Sequence, residues 1–65
     1  MATYEVKLRR TAQLEPTLSV LVHAANAYVA ARAAERHNPG YRAYTVAVWV
    51  EGVRVDLGAF RPPQR

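Results

Sequence analysis

Cysteine is absent from this 65-residue sequence, which excludes disulfide bonds and thiolate metal sites. Two histidines and five carboxylates remain, and no two of these seven show a recognisable metal-ligand spacing, so we expect no metal and no cofactor. Glycine is scarce as well: Gly40, Gly52 and Gly58 each stand alone, which excludes a glycine-rich phosphate loop.

Long apolar runs are also missing. The longest nearly uncharged stretch, residues 16–31, is interrupted by polar side chains and is too short to span a bilayer. Residues 1–10 alternate polar and apolar side chains instead of carrying the apolar run of a signal peptide. We therefore expect a soluble, cytoplasmic protein with no membrane partner.

Serine occurs once, at Ser19, and His23 follows four residues later. On a strand these two side chains point to the same side but lie about 13 Å apart, too far for a nucleophile–base hydrogen bond. On a helix they would be neighbours, but no orienting acid or oxyanion loop accompanies them. No carboxylate pair has a spacing suited to acid–base catalysis. We predict no catalytic residues, no enzyme activity and no small-molecule substrate.

Residues 3–9 alternate with period two, with Tyr4, Val6 and Leu8 on one side, which predicts a half-buried strand. Residues 16–36 allow two interpretations. One is a single helix that begins at Pro16. The other is a strand that turns its even-numbered residues 18–24 inward, followed by a helix. Asn26 is a good N-cap and Ser19–Val22 is rich in β-formers, so the split is favoured.

On the split interpretation the helix spans residues 27–36, with alanines 27, 30, 31 and 34 as its packing stripe. Pro39-Gly40 predicts a type II turn after it. Residues 41–50 and 53–57 alternate around Glu51-Gly52, which predicts a β-hairpin with Trp49 opposite Arg54. In this hairpin Tyr44, Val46, Val48 and Val50 are expected to face inward, with the alternate residues outward.

The fold class we expect is α+β in two layers, with one helix on one face of a mainly antiparallel four-stranded sheet (β-β-α-β-β). Residues 1–60 would form this single small domain. Residues 61–65 contain Pro62-Pro63 and two arginines, and are expected to form a flexible, basic, proline-rich tail.

The segment Val22-x-Ala24-x-Asn26-Ala27-Tyr28-x-Ala30, followed by Ala34-Glu35 and Pro39-Gly40-Tyr41, resembles a strand-to-helix signature. That signature is common in short, mostly uncharacterised proteins of phages and other mobile elements. The resemblance covers roughly residues 4–50. It implies an architecture and a host-cytoplasm location, and it implies no catalytic residue.

The charge balance is basic: eight arginines and one lysine against five acids give a net charge of +4. A basic surplus favours anionic partners, above all nucleic acid. On the predicted sheet, the face away from the helix combines basic and aromatic or apolar residues, a composition that fits base stacking and phosphate contact. Its candidate binding residues are Lys7, Arg9, Leu21, Tyr41, Trp49 and Arg54.

The same outer face predicts two other kinds of partner. Leu21, Ala47 and Trp49 lie at its centre, and tryptophan, tyrosine and arginine are enriched in protein interfaces. A thin 65-residue core also gains stability when such a face is covered. Three alternatives to nucleic-acid binding are therefore a homodimer, a protein–protein effector that binds or inhibits a host factor, and a self-assembling structural subunit.

Overall fold

Four strands and one helix follow one another in the computed structural model, which describes residues 1–10 and 17–60. Pro16 and the predicted tail lie outside the described residues. The elements are β1 (Ala2–Arg10), β2 (Thr17–Ala24), α1 (Ala27–His37), β3 (Tyr41–Val50) and β4 (Val53–Ala59). This is the two-layer α+β fold that the sequence predicted.

The sheet has the order β2-β1-β3-β4, and all of its neighbouring strands are antiparallel. The chain leaves β2, passes through α1 and enters β3 on the far side of β1. Helix α1 packs against β1, β2 and β3. The helix is 11 residues long, about 16 Å at 1.5 Å per residue. Within the described residues β4 has no contact with it.

The core lies between α1 and the three strands beneath it. Val6 and Leu8 of β1 are fully buried, and the even-numbered residues of β2 face the same side. Ala30, Ala31 and Ala34 are the buried helix positions. Their small side chains let the helix approach the sheet closely. The split between strand and helix is thus confirmed.

Asn26 caps the helix as predicted. Its side-chain oxygen accepts a hydrogen bond from the backbone N–H of Val29 at 2.9 Å. The predicted turn after the helix also forms: the N–H of Tyr41 donates to the carbonyl of Asn38 at 3.1 Å. Gly40 has φ +91°, the left-handed conformation that the third residue of a type II turn requires. The helix itself runs one residue further than predicted, to His37.

Replacing Asn26 by alanine removes the only side-chain acceptor described at this helix N-terminus. We expect the free energy of unfolding to fall by about 1 kcal/mol, the usual cost of losing an N-cap. Urea denaturation followed by circular dichroism measures it. Asn26→Ser is the control, because serine also caps helices and should stay close to wild type. Equal losses in the two variants would contradict the capping role.

A β-bulge overturns one part of the predicted pattern. Between Lys7 and Leu8 the register of β1 with β3 shifts, and Leu8 pairs with Ala43 while Lys7 pairs with Thr45. The extra residue, Tyr44, interrupts the alternation of β3. Tyr41 and Ala43 therefore pack against the core on the helix side. The prediction that they lie on the outer face was wrong. Tyr44 lies against Arg9, an outer-face residue of β1.

The second correction concerns β4. Val53, opposite Val50, was expected to face inward, and the same alternation continues through Val55 and Leu57, but every residue of β4 is exposed. The hairpin itself is as predicted, with Val50 opposite Val53 and Trp49 opposite Arg54. The strand is exposed because α1 does not reach it.

Candidate nucleic-acid interface

The centre of the outer face is a charge network. The Nε of Arg54 donates to Oε1 of Glu5 at 2.7 Å, and its Nη1 lies 3.0 Å from Oδ1 of Asp56. Ser19 donates to the other oxygen of Glu5 at 3.2 Å. Ala47 lies between Glu5 and Asp56 in the register and is 1% exposed. Ala47 thus has the central position predicted for it, but the neighbouring side chains bury it, so it offers no surface to a partner.

Trp49 and Arg54 lie opposite each other as predicted, a position in which a cation–π contact would be possible. Among the described residues, the cation–π contacts are those of Arg9 and Arg10. The guanidinium of Arg54 turns instead to Glu5 and Asp56, because two carboxylates attract it more strongly than one ring. A guanidinium held between two carboxylates has little positive charge left for a phosphate.

The hydrogen bond from Arg54 lowers the pKa of Glu5 below its ordinary range, and the same bond raises the pKa of Arg54. A carboxyl whose pKa is lower in the folded state stabilises the fold above its unfolded pKa, near 4.3 for glutamate. That contribution is lost as the pH falls through the lowered folded pKa.

We therefore expect Glu5→Gln to melt below wild type at neutral pH, with the gap closing as the pH falls below about 4. Thermal melting of both proteins between neutral and acidic pH measures the gap. Glu51→Gln, in the hairpin loop, removes the same charge away from the network and serves as the control. A gap for Glu5→Gln that is independent of pH would show that the ion pair does not stabilise the fold.

The other outer-face candidates are dispersed. Leu21 is 66% exposed and pairs with Glu5, while Trp49 is 39% exposed and pairs with Thr3. Polar residues of β1 therefore separate the two apolar side chains. His23 shares a 3.0 Å hydrogen bond with Thr3, and Ser19 contacts Glu5, so Ser19 and His23 each have a different partner.

Arginines gather at one end of the domain, where β1 ends, β3 begins and α1 finishes. Arg9 pairs with Arg42 across the β1–β3 ladder, and the next pair is Arg10 with Tyr41. We call this end of the domain the basic end and define it by six residues. They are Arg9, Arg10, Arg36, Tyr41, Arg42 and Tyr44. Arg9, Arg42 and Tyr44 belong to the outer face of the sheet, whereas Arg10 and Tyr41 belong to the helix side.

Two of these guanidiniums lie over tyrosine rings. The Cζ of Arg9 is 4.2 Å from the ring centre of Tyr44, and that of Arg10 is 5.7 Å from the ring centre of Tyr41. Stacking on a ring restricts an arginine side chain before any ligand binds. Less conformational entropy is then lost when the guanidinium binds an anion.

A cleft of about 350 Å³ opens at the basic end, between the last turns of α1 and the start of β3. Its lining residues are Arg32, Glu35, Arg36, Tyr41 and Arg42. Glu35 pairs with Arg32 at 3.1 Å, and its other oxygen accepts the N–H of Ala43 at 2.9 Å. In the part of the chain that the structure describes, no carboxylate forms a salt bridge with Arg9, Arg10, Arg36 or Arg42.

Sequence reasoning placed Arg9 and Tyr41 among the binding candidates but missed Arg10, Arg36, Arg42 and Tyr44. The arginines come from three elements that are distant in sequence, so no charged block marked them. The adjacent pair Arg9-Arg10 was the one local signal. Lys7 lies on the outer face, one inward-facing residue before Arg9 in β1.

Fold and site together define a class: a small two-layer α+β domain with a strongly basic end. No protein-family model matches the sequence, and neither a curated protein nor a solved structure is significantly similar to it. In residues 1–10 and 17–60, no group of three histidine or acidic side chains gathers as metal ligands. The helix described there is too short to cross a membrane.

Proposed function

We propose that this domain binds nucleic acid through the basic end. One observation carries the proposal: Arg9 and Arg42 lie directly opposite each other in the β1–β3 ladder. Like charges in that position destabilise a sheet. Described carboxylates form salt bridges with Arg32 and Arg54, but none forms one with this pair. A polyanion that binds there would turn a repulsive pair into a phosphate site.

The basic end has the chemistry of a backbone contact. Arginine forks match phosphate oxygens in two-point hydrogen bonds, and the tyrosine rings hold two of these forks in place. The surface offers few base-reading groups beside the arginines. We therefore propose binding that is dominated by phosphates and has little sequence preference.

Salt dependence tests the proposal. The arginines of the basic end number four, and each phosphate contact on duplex DNA contributes about −0.9 to the slope of log K against log salt. We expect a slope of about −3 to −4 for a labelled duplex, and a smaller slope of about −3 for a single strand. Fluorescence anisotropy at several salt concentrations measures both. The absence of binding to either oligonucleotide at low salt would end the proposal.

We also propose a cellular location and an origin for this protein. A phosphate-binding domain of this size fits the cytoplasm of a cell that carries phage or mobile-element genes, as the strand-to-helix resemblance implied. The effector interpretation has less support, because Leu21 and Trp49 do not form one apolar patch. We therefore favour nucleic-acid binding over the binding of a host protein.

A further inference from the structure

Four exposed apolar side chains lie close together on the hairpin formed by β3 and β4. Val50, Val53, Val55 and Leu57 are 42–61% exposed. Val53 pairs with Val50, and Val55 pairs with Val48, whose side chain packs against the core on the helix side. Val53 and Val55 therefore share the helix side of the sheet, beside α1, where nothing in the described residues covers them.

Strand β4 is also an edge of the sheet. Its one neighbour in the described residues is β3, so its outer edge carries backbone groups without a strand partner. An exposed edge next to apolar side chains is a template for pairing with another strand. The register shift between Val46 and Ala47 leaves Leu57 as an extra residue, so the regularly paired stretch next to the turn is residues 53–56.

The hairpin turn determines which backbone groups point outward. Glu51 and Gly52 both have positive φ, 50° and 80°, as in a type I′ turn. In such a turn the residue after the loop donates its N–H to the carbonyl of the residue before it. Val53 and Val55 therefore direct their N–H and C=O groups toward β3. Arg54 and Asp56 alternate with these valines along the strand. Their N–H and C=O groups therefore point toward the free edge of β4.

We propose that a second copy of this chain pairs with β4 in antiparallel fashion, about a two-fold axis through Val55. In this register Arg54 of each copy lies opposite Asp56 of the other, and these are the residues whose backbone groups point outward. Val53 lies opposite Leu57 of the other copy, and Val55 lies opposite itself. The charge order Arg-Val-Asp is therefore complementary to itself, both in side chains and in backbone hydrogen bonds.

The dimer is an eight-stranded sheet with both helices on one face. It brings the apolar side chains of the two β4 strands into lateral contact on the helix side of the joined sheet. Asp56 has a side chain 71% exposed and therefore has room for a second arginine. Opposite charges directly across an antiparallel ladder stabilise it, and the two-fold axis provides this pair twice. Because the antiparallel register reverses one copy, the two basic ends lie at opposite ends of the joined sheet.

A cysteine at the axis tests the register, because the natural chain has none. Val55→Cys places two thiols opposite each other in a non-hydrogen-bonded pair, with Cα atoms about 4.5 Å apart. That separation lies within the range of a disulfide. We expect mild oxidation to cross-link Val55→Cys at least about tenfold faster than Val53→Cys, whose two thiols would lie too far apart. A mixture of Val53→Cys and Leu57→Cys should cross-link as a heterodimer.

Sedimentation of the unmodified chain provides the second readout. A mass approaching twice 7.3 kDa is expected as concentration rises. Asp56→Lys places like charges across the axis and should weaken the dimer about tenfold. Glu51→Lys changes the net charge equally in the loop and should leave it unchanged. A monomer at all concentrations, or Val53→Cys cross-linking as fast as Val55→Cys, would overturn the proposal. So would a dimer that Trp49→Ala disrupts and Asp56→Lys does not, which would place the interface on the outer face.

Discussion

Leu8→Ala should leave much of the protein unfolded. Leu8 and Val6 are the largest fully buried side chains in the described residues, and Leu8 lies in the central strand beneath the alanines of α1. Truncating a buried leucine costs about 2–5 kcal/mol, from lost transfer free energy and from the cavity that remains. A 65-residue domain has a total stability of only about 3–10 kcal/mol.

Urea denaturation followed by circular dichroism measures the loss. Leu21→Ala is the matched control, because Leu21 lies on the neighbouring strand and is 66% exposed. We expect that control to change the free energy of unfolding by less than about 0.5 kcal/mol. Similar losses in the two variants would mean that the core does not lie where α1 meets β1.

Reversing two charges at the basic end should greatly weaken nucleic-acid binding. At 0.1 M salt each phosphate contact is worth about eightfold in affinity, from the slope of about −0.9 per contact. The variant Arg36→Glu/Arg42→Glu removes two contacts and adds two repulsive charges. We expect affinity for a labelled duplex to fall by about 10³-fold at that salt concentration.

The conservative variant Arg36→Lys/Arg42→Lys keeps both charges and loses only the two-point geometry of the guanidinium. It should therefore bind within about tenfold of wild type. Circular dichroism of each variant checks the fold, because Arg36 also lies in the last turn of α1, where positive charge stabilises the helix. Wild-type affinity in the doubly reversed variant would show that nucleic acid does not contact this end.

Much of this architecture follows from local patterns. The period-two runs predicted β1 and β2, Asn26 predicted the start of the helix, and Glu51-Gly52 predicted the hairpin with its register. Each of these signals involves residues within a few positions of one another. Local backbone geometry determines which structure each of these signals forms, and the rest of the fold does not change that structure.

The bulge in β3 escaped prediction because no glycine or proline marks the extra residue Tyr44, and alternation alone cannot show where a strand gains a residue. At the bulge in β4 the extra residue Leu57 is followed by Gly58, which has φ +91°. The exposure of β4 depends on the sheet order, which alternation also does not contain. The charge network could not be predicted for the same reason, because it also depends on the sheet order. Arg54 meets Glu5 across two strands, a contact that exists only because β1, β3 and β4 are neighbours in that order.

The basic end is the largest difference between what the sequence predicted and what the fold assembles. Arginines from three elements gather at one end of the domain, whereas the predicted phosphate contact Arg54 forms ion pairs within its own sheet. A guanidinium paired with two carboxylates and a guanidinium opposite another arginine have the same formal charge. They differ greatly in the free energy that a phosphate can gain from them.

The central claim is tested most directly by comparing two single substitutions of equal net charge. Arg42→Ala and Arg54→Ala each remove one positive charge, one from the basic end and one from the outer-face network. For a labelled duplex, we predict that Arg42→Ala lowers the magnitude of the salt slope by about 0.9 and weakens binding about eightfold at 0.1 M salt. Arg54→Ala should leave the slope unchanged. The reverse result, with binding sensitive to Arg54 and not to Arg42, would place the interface at the charge network in the centre of the outer face and contradict binding at the basic end.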